Sequence, residues 1–204
     1  MRRIAATLAV VITLPFSAGS VWADMGADPA QRGNYADGVE AYNRGDYATA
    51  LQEFRPLAEQ GDAKAQFNLG FMYDNGKGVP ENDAKAAKWH RKAAEQDDVM
   101  AQYSLGGMYF RGEGVSQNYT EAVKWFRKAA EQGDAYAQVN LGFMYGTGEG
   151  VPMNYVKAYM WYSLAKAQGN EDAAKGLYII EKEMNTDQIA EAQVLATEWR
   201  EKRN

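Results

Sequence analysis

The feature that most restricts this chain is internal: residues 63–98, 99–134 and 135–170 lie over one another without a gap, a repeat of 36 residues. Small residues recur at Ala65, Ala101 and Ala137 and at Gly70, Gly106 and Gly142, beside Leu69, Leu105 and Leu141. Aromatic residues recur at Tyr73, Tyr109 and Tyr145 and at Trp89, Trp125 and Trp161. Between them each unit carries a Gly-x-Gly-Val turn, then Asn82, Asn118 or Asn154, then Ala86, Ala122 or Ala158. A period of this length means stacked supersecondary units, because one unit alone cannot bury both of its apolar faces.

Each unit reads as two helices. Ala65, Leu69, Met72 and Tyr73 fall on one stripe at helical spacing, and Ala86, Trp89 and Ala93 fall on another after the Gly-rich turn. Asp62, Asp98, Asp134 and Asn170 are placed to cap the first helices, and Asn82, Asn118 and Asn154 the second, with Asn118 and Glu121 spaced as a capping box. Gly61, Gly133 and Gly169 stand just past the second helices, where a left-handed cap favours glycine; the equivalent residue of the first full repeat is Asp97. Glycine inside a helix costs about 1 kcal/mol relative to alanine, so its recurrence at Gly70, Gly106 and Gly142 predicts close approach of helix backbones. Large aromatics would fill the gaps on either side.

The N-terminus reads differently. Arg2 and Arg3, the uncharged run Ile4 to Leu14, and Val21-Trp22-Ala23 have the order of a secretory signal peptide, 1–23, with cleavage near Ala23. The run is far shorter than the ~20 residues of a membrane-spanning helix. A strong twin-arginine context is missing and no Cys follows the cleavage site, so general export without a lipid anchor is expected. Residues 24–33 would form a flexible mature N-terminus. Without Arg2 and Arg3, Lys+Arg falls from 22 to 20 against 27 Asp+Glu, a net charge of −7, which disfavours nucleic acid and anionic membranes as partners. With no Cys, disulfides, thiol chemistry and thiolate metal sites are excluded, and a buried core must hold the fold. Val and Ile are sparse after Met25, which favours packed helices over sheets.

The motif Ala…Leu-Gly…Tyr…Gly-x-Gly-Val…Ala…Trp…Ala-Ala-Glu-Gln-Gly, over 63–170, resembles the Sel-like repeat (SLR) family, a relative of the tetratricopeptide repeat with a longer turn. The resemblance implies an all-α fold, an α-α superhelix or right-handed solenoid of antiparallel helix pairs. Residues 34–62, with Tyr42, Gly45, Tyr47, Ala50, Phe54 and Ala58, look like a plain tetratricopeptide helix pair. Three SLR repeats follow at 63–98, 99–134 and 135–170. Residues 171–204 depart from the pattern at Tyr178 and Glu181 and read as a C-terminal helical cap. Its last helix would start at Asn185 with Gln188 three residues on.

Candidates for chemistry are few. Gly76-Lys77-Gly78-Val79-Pro80 fails as a phosphate loop: five residues separate Gly70 from Gly76 where a P-loop has four, and Gly78 stands where Ser or Thr should bind the metal. A connector between helices accounts for it, since Glu113 and Glu149 replace Lys77 in the other repeats. His90 is the single histidine, and its equivalents are Phe126 and Tyr162, so it reads as a partly buried aromatic-type position. Glu59, Glu95 and Glu131 recur at one period, which marks a solvated helix face. The sequon Asn118-Tyr119-Thr120 matters only in a host that glycosylates. No catalytic residue, metal site or cofactor is expected.

The second face of the first helices is the candidate site. Phe67 and Phe71, Tyr103 and Gly107, and Val139 and Phe143 vary while the core does not. First helices line the concave surface in stacked pairs, so Asn68, Phe71, Asn75, Ser104, Arg111, Asn140, Phe143 and Thr147 are expected to hold a protein or peptide. Packing against the preceding unit is the competing role for these aromatics, most of all for Phe67 and Val139. The expected function is an exported, non-catalytic binding scaffold, periplasmic or secreted. One branch of the family that the residues resemble binds and hydrolyses β-lactams; that branch is Cys-rich and this chain has no Cys, so the carry-over fails. A structural role through self-association of the solenoid ends is the third reading.

Overall fold

The computed structural model of the chain describes residues 32–202. The expected signal peptide and residues 24–31 lie outside them. Ten α-helices make up the described residues, with no strand among them: α1 Arg32–Asn43, α2 Tyr47–Glu59, α3 Ala63–Asp74, α4 Asp83–Ala94, α5 Val99–Arg111, α6 Tyr119–Glu131, α7 Ala135–Thr147, α8 Tyr155–Ala167, α9 Glu171–Glu181 and α10 Thr186–Glu201.

Local chemistry sets the boundaries. Asp62, Asp98 and Asp134 each accept from the backbone N–H three residues on, at 2.7, 2.8 and 2.6 Å, and Asn170 does so at 3.0 Å. Asn82, Asn118 and Asn154 do the same for the second helices at 2.8, 3.1 and 2.9 Å. Each such cap contributes about 1 kcal/mol. The reciprocal capping box closes at Asn185 and Gln188. At Asn118 the side chain caps as expected but the reciprocal bond from Glu121 is not formed; the Glu121 carboxylate accepts from Lys124 Nζ at 3.2 Å.

Two compact units divide the chain. One holds the described residues through Met108 together with Gly112–Ser116; the other holds Tyr109–Arg111 and the residues from Gln117 on. In the first unit α1 pairs with α2 and α3 with α4, and α3 also packs on α2. Its core runs through Ala41, Ala50, Phe54 and Met72 and then Leu57, Ala58, Ala65 and Leu69. In the second unit α7 lies against α6 and α8, and α9 and α10 both pack on α8. Trp199 of α10 meets Trp161 edge-on at 6.0 Å, and Gln193 Nε2 donates to the Tyr159 hydroxyl at 3.3 Å.

The helical glycines solve a different problem from the one expected. A Cβ on Gly70 would lie 2.9 Å from the His90 ring, and one on Gly142 would lie 3.0 Å from the Tyr162 ring. The close approach is therefore ring against backbone, not backbone against backbone. Missing Cβ atoms make the slot that a planar side chain of the paired helix fills.

A buried amide adds a second recurring contact. Gln66, Gln102 and Gln138 are buried, and their Nε2 atoms donate to the carbonyls of Ala58, Ala94 and Ala130 at 3.1, 3.2 and 3.2 Å. Each bond ties a first helix to the end of the helix before it, as a second donor to a carbonyl that already accepts from the backbone N–H three residues on.

Among the described residues Asp97 alone combines a side chain with a left-handed backbone, at φ 63°, where Gly61, Gly133 and Gly169 have φ 104°, 100° and 86°. Sequence alone favours glycine there, but the Asp97 carboxylate also accepts from Gln102 Nε2 at 3.1 Å. Asp97→Gly trades that bond for relief of backbone strain and is expected to stay within about 0.5 kcal/mol of the parent. Asp97→Ala keeps the strain and loses the bond, so its urea midpoint should fall by the equivalent of about 1 kcal/mol. Equal midpoints for the two variants would mean that the left-handed backbone at φ 63° costs a side chain nothing, and a midpoint of Asp97→Ala equal to the parent's would mean that the bond contributes nothing.

Candidate functional site

The eight residues singled out on the first helices fall into two groups. Asn68 is 1% exposed, and its Nδ2 donates to the Tyr35 hydroxyl at 3.1 Å. Burial pushes the Tyr35 phenol up to about 12. Asn140 is 8% exposed. Phe67, Tyr103 and Val139, their neighbours on the stripe, are buried as well. This line of the face packs against protein, the competing role considered for Phe67 and Val139.

The other six sit nearer solvent. In the first unit Phe71 is half-buried, 6.2 Å from Phe67 and 6.1 Å from the half-buried Tyr42 of α1. Asn75, exposed at the end of α3, donates from Nδ2 to the Phe71 carbonyl at 2.8 Å. Ser104 on α5 is half-buried. In the second unit Arg111 is exposed, and Phe143 is half-buried with its ring edge-on to Phe110 at 6.0 Å. Thr147 Oγ1 donates to the Phe143 carbonyl at 3.1 Å, as Asn75 does to that of Phe71. These two polar groups thus finish their own helices as well as flanking an aromatic ring.

Tyr42 and Phe110 escaped the reading of the sequence. Each partners one of the two phenylalanines, so that each unit presents one pair of half-buried rings on its first-helix face. Burial pushes the Tyr42 phenol up to about 12. Phe110 aligns with Asp74 and Gly146, and such variation beside a constant core was the available signal.

The turns and the histidine are structural. Gly78, Gly114 and Gly150, with φ of 71°, 65° and 70°, sit against the first residue of a preceding second helix. A Cβ on them would lie 2.6 Å from the Tyr47 carbonyl oxygen, 2.1 Å from that of Asp83, and 2.3 Å from the Tyr119 carbonyl group. Protein backbone therefore fills the place a phosphate would need. His90 is fully buried, with Nε2 2.8 Å from Asp74 Oδ2 and its ring 5.4 Å from that of Phe67, so no substrate can reach it. Among the described residues no cluster of three His, Cys, Asp or Glu is placed to hold a metal ion, and no helix is long and apolar enough to cross a membrane.

Stacked helix pairs, constant cores, and a variable face with half-buried aromatic rings define a helical-repeat scaffold. The Sel1 repeat family model matches residues 63–98, 99–134 and 135–170. The chain belongs to the Sel1 repeat family. Among solved structures, a protective antigen present in uropathogenic Escherichia coli strains, displaying an SLR fold, is 35% identical with TM-score 0.76, over 84% of this chain and 38% of that one. A Sel1 repeat protein from Oxalobacter formigenes is 38% identical with TM-score 0.67, over 70% of this chain and 59% of that one. The rat protein DAP3-binding cell death enhancer 1 is 39% identical over 49 residues, 24% of this chain and 10% of its own length. The chain thus spans less than two thirds of each of these relatives. The expected fold class, all-α helix pairs of the α-α superhelix kind, is the one the SLR neighbour shares.

Proposed function

We propose that this protein is an exported interaction scaffold that holds a protein or peptide segment on the face of its first helices, in the periplasm or outside the cell, without catalysing a reaction. The observation that carries the reading is the ring pair in each unit, Tyr42 with Phe71 and Phe110 with Phe143. Rings held half-buried lose little entropy on binding, and they offer apolar area beside the polar groups Asn75, Ser104, Arg111 and Thr147. Export rests on the order of charges and apolar residues in 1–23.

Phe71→Ala combined with Phe143→Ala is the direct test. Partners captured by the parent protein from periplasmic extract or culture medium should bind the double variant at least roughly tenfold more weakly, with helicity retained. Undiminished capture would place the binding surface elsewhere. For export, fractionation and N-terminal mass spectrometry of the protein expressed with its leader should find a chain starting at Asp24; an intact N-terminus in the cytoplasm would overturn it.

A further inference from the structure

The C-terminal helices carry two exposed stripes that no repeat contains. On α9 the residues are Lys175 and Tyr178, continued by Lys182 at its C-cap; on α10 they are Glu191, Val194 and Glu198. Steps of three and then four residues keep each trio on one helix face, and the steps are the same in both. Each stripe has an apolar centre flanked by like charges, positive on α9 and negative on α10. Tyr178 and Val194 are 63% and 56% exposed, two of the large hydrophobic residues left most open to solvent.

The fold explains why both stripes are open. α10 packs on α8 through Ala192, Ala196 and Trp199, which turns Glu191, Val194 and Glu198 outward. On α9, Ala173, Gly176, Leu177 and Ile180 are buried and take the inner face. Tyr178 aligns with Gly70, Gly106 and Gly142 of the repeats but faces solvent, and on α9 it is Gly176 that lies against a ring, that of Tyr162. Both stripes therefore point away from the chain's own core.

We infer that the C-terminal helices form a homodimer contact, with the Lys175–Tyr178–Lys182 stripe of one copy lying against the Glu191–Val194–Glu198 stripe of a second copy, and the reverse, about a two-fold axis. The charge signs and the matched spacing point to this occupant: each stripe complements the other and repels its own kind. The existing partners are surface contacts. Lys175 pairs with Asp172 at 2.7 Å and Lys182 Nζ sits 3.8 Å over the Tyr178 ring, both of which are exposed and exchange at low cost. Tyr178 and Val194 would then meet at the centre of each contact. Each stripe is only about 10 Å long, so the dimer is a weak one, strengthened at low salt. This inference is independent of what the first-helix face binds.

Sedimentation velocity tests it through a charge swap. Up to about 1 mM, the parent protein should show a concentration-dependent dimer that weakens as salt rises. Lys175→Glu with Lys182→Glu makes both of its stripes negative, and Glu191→Lys with Glu198→Lys makes both positive. Each double variant alone should dimerise at least roughly tenfold more weakly than the parent, and an equimolar mixture should regain the dimer, because both contacts of the mixed pair are again complementary. Circular dichroism verifies that the variants are folded; should one not fold, the Gln substitutions at the same positions must still weaken the dimer. A parent that stays monomeric at all concentrations overturns the inference, as does a dimer indifferent to the reversals or a mixture that fails to associate.

Discussion

Gly78→Ala is expected to unfold the protein at markedly lower urea than Gly76→Ala, although the two glycines lie two residues apart in one turn. Both have a left-handed backbone, φ 71° and 62°, so each substitution carries the steric cost of an L-residue there, about 1–2 kcal/mol. The surroundings differ. A Cβ on Gly76 would touch the Glu81 side chain and backbone at an ordinary 3.5 Å, whereas one on Gly78 would lie 2.6 Å from the Tyr47 carbonyl oxygen. Backbone held at a helix start cannot give way cheaply, so the turn must lift from α2, which adds roughly 1–3 kcal/mol. Gly114→Ala and Gly150→Ala meet backbone at 2.1 and 2.3 Å and should cost at least as much. Midpoints are the quantity to compare, since a repeat array need not melt in two states. Equal midpoints for Gly76→Ala and Gly78→Ala would show that the turn does not bear on the neighbouring helix.

Tyr162→Ala should be among the most damaging single changes, while Tyr162→Phe should be harmless or stabilising. The ring is fully buried between two glycines, with a Cβ on Gly142 only 3.0 Å away and one on Gly176 only 2.5 Å away. Truncation empties a slot that α7 and α9 cannot close, at a cost of roughly 3–5 kcal/mol. The hydroxyl, by contrast, is buried with no hydrogen-bond partner, and burial pushes its pKa well above the ordinary phenol range. Removing an unsatisfied polar atom while keeping the ring returns its desolvation penalty, about 1 kcal/mol or more. A clear loss of stability in Tyr162→Phe would reveal a partner for that hydroxyl, such as a buried water. Phe126 already occupies the equivalent position in the repeat before, which agrees with the expected tolerance.

The candidate site was less legible than the fold. Phe71 and Phe143 were found because they vary where the core is constant, and both are half-buried. Asn68 and Asn140, on the same stripe by spacing, turn out to be buried. Helical periodicity assigns a residue to a face about 100° wide and cannot say how far a neighbouring helix reaches across it. Tyr42 and Phe110 were overlooked for the same reason: each becomes part of a ring pair only when two segments far apart in sequence are brought together.

Periodicity, caps and turn glycines in the sequence determined the helix pairs, their boundaries and the left-handed position at Asp97, because these depend on contacts within a few residues and on a pattern repeated three times. Tertiary structure decided which side chain each helical glycine receives, why the second turn glycine must lack a Cβ, and that Gln66, Gln102 and Gln138 tie successive helices together. It also decided that α10 packs on α8 and so leaves the charged stripes of α9 and α10 open. Those outcomes depend on distances between elements, which a spacing rule along one chain does not contain.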